Sequence, residues 1–379
     1  MSENRNPYQL ARNAKIVYNH ATVLPDTWPE NRVLIAYLIV FIASLLLALT
    51  LTPLSIWLAR RLGIVARPGG RRRHRGDVPK LGGLAVAGAF LGGALISLLA
   101  RPWLPPPPEG IDPKEMTRFT AVLVGALVIA LFGFLDDRFE LNPKIQYLAQ
   151  LLVSVIAILG LVFVERVMNP FTDQIAVFPW PLVWGFTLFW LVGMMNTVNF
   201  MDGLDGLCAG VSAIVSTVLV IHMLRVGQYG PALLPLALLG AVLGFLPFNI
   251  GPARIFLGSG AVTLGYLIGA LSLVAGARVA TVLLVLAIPI VDVAWQIVNR
   301  WRHGRSMNDS DRGHLHYLLF DLGMSQRQVI LLYWGFCALF GALALFVSSR
   351  IYKLIAIGTI GVLVFILLAA LSRRQKNAD

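Results

Sequence analysis

Long apolar runs alternate with short polar segments along almost the whole chain. Runs able to cross roughly 30 Å of hydrocarbon fall at about 33–59, 81–100, 119–135, 145–164, 181–199, 206–224, 231–249, 261–276, 279–298, 328–348 and 352–371. Each predicts a helix, because a backbone inside lipid must satisfy its own hydrogen bonds. The expected fold is therefore an all-α membrane protein of about eleven transmembrane helices. Several runs are glycine-rich, such as LGGLAVAGAFLGGALISLLA, which suits close helix packing and permits a homodimer.

Composition supports this reading. Of 379 residues, 57% are hydrophobic and only 13% charged, against about half and a quarter in soluble domains. The net charge of +12 does not argue for nucleic acid here, because basic residues in a membrane protein first report orientation. The segment at 60–80 holds eight Lys and Arg. Placing it in the cytoplasm puts the amino terminus outside, the carboxyl terminus inside and most basic loops on the inner face. A single domain is expected over 33–371, with an extracytoplasmic arm at 1–32, where no signal peptide is apparent, and a basic tail at 372–379. Cys208 and Cys337 lie in apolar runs and imply no disulfide framework.

The unusual polar clusters share one predicted face. GFLDDRFELNPK puts Asp136 and Asp137 at the end of the third run, NTVNFMDGLDGL joins the fifth to the sixth, FNIGPARIFLG joins the seventh to the eighth, and DRGHLHYLL lies in the longest inner loop. Such one-sided convergence predicts a single site at the cytoplasmic surface. Adjacent carboxylates repel and favour a cation or a shared proton. Clusters of Asp and Asn suit Mg²⁺, which keeps waters and shares its shell with phosphate. Asn196 and Asn199 stand one helical turn apart, and the Asp-Gly steps at Asp202 and Asp205 let the chain turn and present amides to an anion. His314 and His316 suit phosphate contact or proton handling better than zinc, having no further ligands nearby. Asp292, inside the ninth run, is either functional or a buried link to the loop around Arg300. Carboxylates, amides and basic groups together suit phosphoryl transfer at a membrane surface.

In this order the motifs GDVPKLGGLAV, GFLDDRFELNPK, NTVNFMDGLDGL, FNIGPARIFLG and DRGHLHYLL are similar to those of the polyprenyl-phosphate N-acetylhexosamine-1-phosphate transferases. The resemblance runs from about residue 50 to 320, and the NxxNxxDGxDG block is its most specific part. It implies a multi-pass protein of the bacterial inner membrane. Such an enzyme transfers N-acetylhexosamine 1-phosphate, by branch GlcNAc-1-phosphate, from a UDP-sugar to undecaprenyl phosphate, with Mg²⁺ or Mn²⁺ and release of UMP. By position it implies Asp136, Asp137, His314 and His316 as catalytic, with Asn199 and Asp137 at the metal. It implies Lys80, Lys144, Asn196, Asp202, Asp205, Asn249 and Arg312 as substrate-binding. The phospho-N-acetylmuramoyl-pentapeptide transferases are a more distant resemblance.

Two departures stand out. The family reads FMGDxGS where this chain reads IFLGSGAV, one residue short at the acidic metal ligand, with Ser259 following Gly258 directly. The family also carries Lys or Arg where this chain has Gln146, leaving Lys144 to cover for it. The first departure keeps open a binding-only homologue. A transporter is the third class, with Asp292 its one candidate for a charge at mid-membrane depth.

Overall fold

Every apolar run forms helix. The computed structural model describes residues 30–67, 76–106, 112–169, 171–172, 174–276, 279–302, 313–347 and 349–376. In chain order the helices are α1 (Glu30–Leu62), α2 (Gly82–Ala100), α3 (Glu115–Phe139), α4 (Pro143–Leu159), α5 (Trp180–Met201), α6 (Leu207–Arg225) and α7 (Leu233–Asn249). They continue with α8 (Gly260–Val274), α9 (Val279–Val285), α10 (Ala287–Arg302), α11 (Leu315–Asp321), α12 (Gln326–Phe346) and α13 (Arg350–Lys376). Two antiparallel ribbons, β1 (Val65–Ala66) with β2 (Val78–Pro79) and β3 (Arg166–Met168) with β4 (Ile175–Val177), lie between helices. Of the expected arm, residues 1–29 lie outside the described residues, and 30–32 already belong to α1. The expected tail continues α13 as far as Lys376, and 377–379 lie outside.

The chain is a multi-pass membrane protein, but the expectation of eleven full spans needs correction. Among the described residues seven helices are long and apolar enough to cross, namely α1, α2, α3, α5, α6, α12 and α13. An eighth span is counted if α9 and α10, bent by 82°, act as one. The bend has a local cause. Pro289 has no N–H to give the Val285 carbonyl, and its ring crowds that turn, so the helix breaks at Leu286. The remaining three, α4, α7 and α8, are apolar but have only 15 to 17 residues. At 1.5 Å per residue they reach roughly 22–26 Å. α7 and α8 are the most enclosed of the bundle, carrying fully buried Phe245 and Tyr266.

α1 packs along α2 and α7, α5 along α8, and α6 between α7 and α12. Small residues dominate several contacts: Ala36, Ser44 and Ala48 of α1 are fully buried, while Leu34, Leu46 and Trp57 of the same helix are exposed. This inversion fits a bundle whose large apolar side chains face lipid and whose backbones approach through Gly, Ala and Ser.

Near one end, the segment after α7 docks on the β2–α2 junction. Phe256 N–H donates to the Pro79 carbonyl at 2.9 Å, Gly82 N–H to Phe256 O at 2.9 Å, and Gly83 N–H to Leu257 O at 2.9 Å. There α2 and α8 cross so closely that a Cβ on Gly83 or on Gly260 would meet the other's Cα. That crossing fixes where Lys80 and Ser259 stand.

Candidate active site

One large cavity opens at this end of the bundle, with a volume of about 1580 Å³. All five sequence motifs reach its wall, the histidine motif through Tyr317. Lys80 comes from the β2–α2 junction, Asp136 and Asp137 from the end of α3, Asn199 from the last turn of α5, Asp202 and Asp205 from the α5–α6 turn, Asn249 from the end of α7 and Ser259 from the α7–α8 connection. The predicted convergence of polar clusters on one end is thus observed.

The carboxylate pair is densely hydrogen-bonded. α3 ends at Glu140, which is left-handed at φ 51°, and the chain turns back into α4 through Asn142, whose side chain accepts from Lys144 N–H at 2.9 Å. This hairpin brings Leu141 N–H and Gln146 Nε2 to Asp136 Oδ1, at 3.0 and 2.8 Å. Asp136 Oδ2 accepts the Ser259 hydroxyl at 2.6 Å. Asp137 accepts the Ser259 N–H at 3.1 Å on both oxygens.

The second acidic turn is braced differently. Asp205 Oδ2 accepts from Ala253 N–H at 3.0 Å. Asn249 is buried and straps the turn, accepting from Gly206 N–H at 3.0 Å and donating to Ile255 O at 3.0 Å. It touches the wall, yet both ends of its amide are engaged within the protein, so its place is structural before it is substrate-binding. Asp202 of the same turn and the exposed Asn199 of the helix end before it face the cavity.

Several expected residues are placed elsewhere. Asn196 does not line the cavity; its Nδ2 donates to buried Gln150 Oε1 at 2.7 Å and to Val192 O at 2.8 Å, clasping α5 to α4. Lys144 is exposed and off the wall, while Gln146 lines it and donates to Asp136. Arg312 lies outside the described residues.

His314 and His316 are buried behind the wall rather than on it. His314 Nδ1 lies 3.0 Å from Asp292 Oδ2, and Asp292 Oδ1 accepts from Leu315 N–H at 2.9 Å. The Asp292 link therefore runs to the histidine segment. His316 stacks on His314 at 5.6 Å and its ring meets Tyr317 at 4.2 Å. Tyr317 lines the cavity and donates its hydroxyl to Gly203 O at 3.3 Å, beneath the acidic turn. The segment braces that turn through Tyr317, with both imidazoles buried behind it. Burial, with His314 as the lesser cause, pushes the His316 imidazole down to about 3.

Sequence reasoning missed Arg67, Phe256, Gln326 and Arg327, which also line the cavity. For the last two a signal existed. Ser325 and Gln328 form a capping box at the start of α12, a pattern readable as SQRQ, which puts Gln326 and Arg327 on the first turn of a helix entering from the same end.

Mg²⁺ binds through one or two carboxylates plus waters and substrate phosphates. Among the described residues no three His, Cys, Asp or Glu stand close enough together to hold a metal, and the oxygens of the carboxylate pair already accept hydrogen bonds from the chain. The residues present do not form a closed cage for a resident ion.

Residues 119–276 match the model of the glycosyl transferase family 4. A probable undecaprenyl-phosphate N-acetylglucosaminyl 1-phosphate transferase of Bacillus subtilis is 32% identical over 323 residues, 83% of this chain and 86% of the relative. A decaprenyl-phosphate N-acetylglucosaminephosphotransferase of Mycobacterium tuberculosis is 35% identical over 355 residues, 84% of each chain. A phospho-N-acetylmuramoyl-pentapeptide-transferase of Geobacillus kaustophilus is 30% identical over 342 residues, 84% of this chain and 99% of the relative. With its polar motifs gathered on one cavity and relatives aligned over most of its length, the chain belongs to the glycosyl transferase family 4 and is a phosphoglycosyltransferase.

Proposed function

We propose that the protein moves N-acetylhexosamine 1-phosphate, as GlcNAc-1-phosphate, from a UDP-sugar to undecaprenyl phosphate at the cytoplasmic face of a bacterial inner membrane. A phosphate oxygen of the lipid bonds to the β-phosphorus of the donor. The bond from that phosphorus to the bridging oxygen breaks, and UMP leaves with that oxygen. The product is a lipid diphosphate sugar, the starting unit of an envelope polysaccharide. The observation that carries this reading is the single cavity joining Asp136 and Asp137 to the Asn199–Asp205 segment at the end of an apolar bundle.

The protein's own groups have distinct tasks in it. Lys80 and Arg67 attract the phosphates. Because two anions repel in direct contact, Asp136, oriented by Gln146, Leu141 and Ser259, would act through the cation that accompanies the donor to position the acceptor phosphate. That group is already largely dianionic at pH 7, so proton removal contributes little. Asp202 and Asp205 hold the nucleotide and sugar. Mg²⁺ or Mn²⁺ belongs to this proposal as the companion of the donor diphosphate, where it offsets phosphate charge.

Purified protein given UDP-N-acetylglucosamine, undecaprenyl phosphate and Mg²⁺ is expected to release UMP. Absence of UMP while UDP-sugar still raises the melting temperature would mean a binding-only protein. The full-length similarity to a pentapeptide transferase supports a second donor, so the same assay is run with UDP-N-acetylmuramoyl-pentapeptide; faster turnover there would reassign the sugar.

A further inference from the structure

Asp136 and Asp137 lie side by side in the cavity wall, and each of their four carboxylate oxygens accepts a hydrogen bond from the chain itself. Asp136 Oδ1 is served by Gln146 and Leu141, while Asp136 Oδ2 and both oxygens of Asp137 are served by Ser259 alone. Ser259 opens the first turn of α8, so the N-terminal end of that helix dipole adds positive potential at the pair. Its position is over-determined. Gly258 sits at φ 61°, and a Cβ there would strike the Lys80 carbonyl and crowd the Asp137 oxygens. Gly260 is pinned against Gly83, and the Ser259 backbone lies 3.4 Å from where a Gly133 Cβ would be. One residue, held in place by its neighbours, thus occupies acceptor positions on both carboxylates that a cation would otherwise take.

We infer that Ser259 is a latch on the Asp136–Asp137 pair, so that the protein carries no resident divalent cation and admits one only together with the diphosphate of its donor. The hydroxyl competes with an incoming cation for Asp136 Oδ2, and the backbone N–H competes for Asp137. A cation whose shell is already partly filled by phosphate oxygens and waters needs fewer oxygens from the protein, and displacing the Ser259 hydroxyl, 2.6 Å from Asp136 Oδ2 and 3.1 Å from Asp137 Oδ1, makes room for it. The second half of the inference rests on the transferase reading; the first half does not.

Mn²⁺ titration, followed by loss of the free-ion electron paramagnetic resonance signal, tests it without any transfer step. Wild-type protein alone is expected to leave the free signal unchanged, and protein with UDP is expected to remove more Mn²⁺ than UDP by itself. Ser259→Ala frees Asp136 Oδ2 while keeping the N–H, and is expected to bind Mn²⁺ without nucleotide a few-fold more tightly than wild type. Ser259→Asp adds a charged ligand and is expected to bind about tenfold more tightly or better; should that variant fail to fold, the alanine variant carries the test. Wild-type binding without UDP at the affinity of Ser259→Ala would overturn the latch, as would binding that UDP does not enhance. The Mn²⁺ pattern holding in a protein that releases no UMP would leave the latch standing and remove the transferase reading.

Discussion

His316 shows how far burial can shift a residue from its ordinary chemistry. Its ring is buried against His314, Tyr317 and Tyr333, and burial with His314 pushes it down to about 3, from 6.5 for an unperturbed imidazole. Between those values the unfolded chain binds a proton that the folded chain does not. Stability is therefore complete above about pH 6.5 and falls as pH drops below it, by up to about 1.4 kcal/mol per pH unit. His316→Phe keeps the stacking and removes the titration, so its melting temperature should vary less between pH 7 and pH 5 than that of wild type; equal slopes would contradict the assignment. Asp136→Asn is the complementary case. It exchanges a carboxylate held by three donors for an amide of the same shape, and turnover should fall about 10²-fold or more with the melting temperature nearly unchanged. Asp136, Asp137, Asp202 and Asp205 were legible in the sequence because each interrupts apolar chain at the same end. The places of Asn196 and the histidines were not, since spacing fixes the face a side chain occupies and not the neighbour that claims it.

At the scale of elements, period and length account for most of what the apolar pattern reveals. All eleven runs are helical, yet hydropathy alone did not separate the full spans from α4, α7 and α8, whose 15 to 17 residues are apolar for a different reason. In α7 and α8 it is burial among other helices. Pro289 was visible inside its run, but Pro53 and Pro247 lie within unbroken helices, so a proline in the sequence does not by itself mark the break. Polar pairs between helices carry a measurable share of the packing. Gln150→Leu would leave the Asn196 amide without its cross-helix partner and should cost about 1 kcal/mol, read as a lowered melting temperature. Combining it with Asn196→Leu should recover part of that loss. Strict additivity of the two substitutions would show that the α4–α5 clasp contributes nothing.

The whole molecule joins an apolar bundle to a large cavity at its end, lined by both acidic and apolar side chains. The opposite end is braced by ordinary ion pairs, Arg101 with Glu115 at 2.8 Å and Arg118 with Asp112 at 2.6 Å. In the proposal, substrates of unlike solubility meet where this cavity touches both cytosol and lipid; Arg67 and Lys80 of its wall belong to the basic 60–80 stretch, whose charge predicts the inward orientation that the proposal requires. The shortened loop before α8 was legible as a departure, while its consequence, Ser259 serving both carboxylates, required the fold. The most direct measurement follows a UDP-N-acetylglucosamine radiolabelled at the β-phosphorus into the lipid phase. Wild-type protein should carry the label onto undecaprenyl phosphate and leave UMP in the water, and Asp136→Asn should carry almost none. Label remaining with the nucleotide, or lipid labelling undiminished in Asp136→Asn, would contradict a sugar 1-phosphate transfer centred on this cavity.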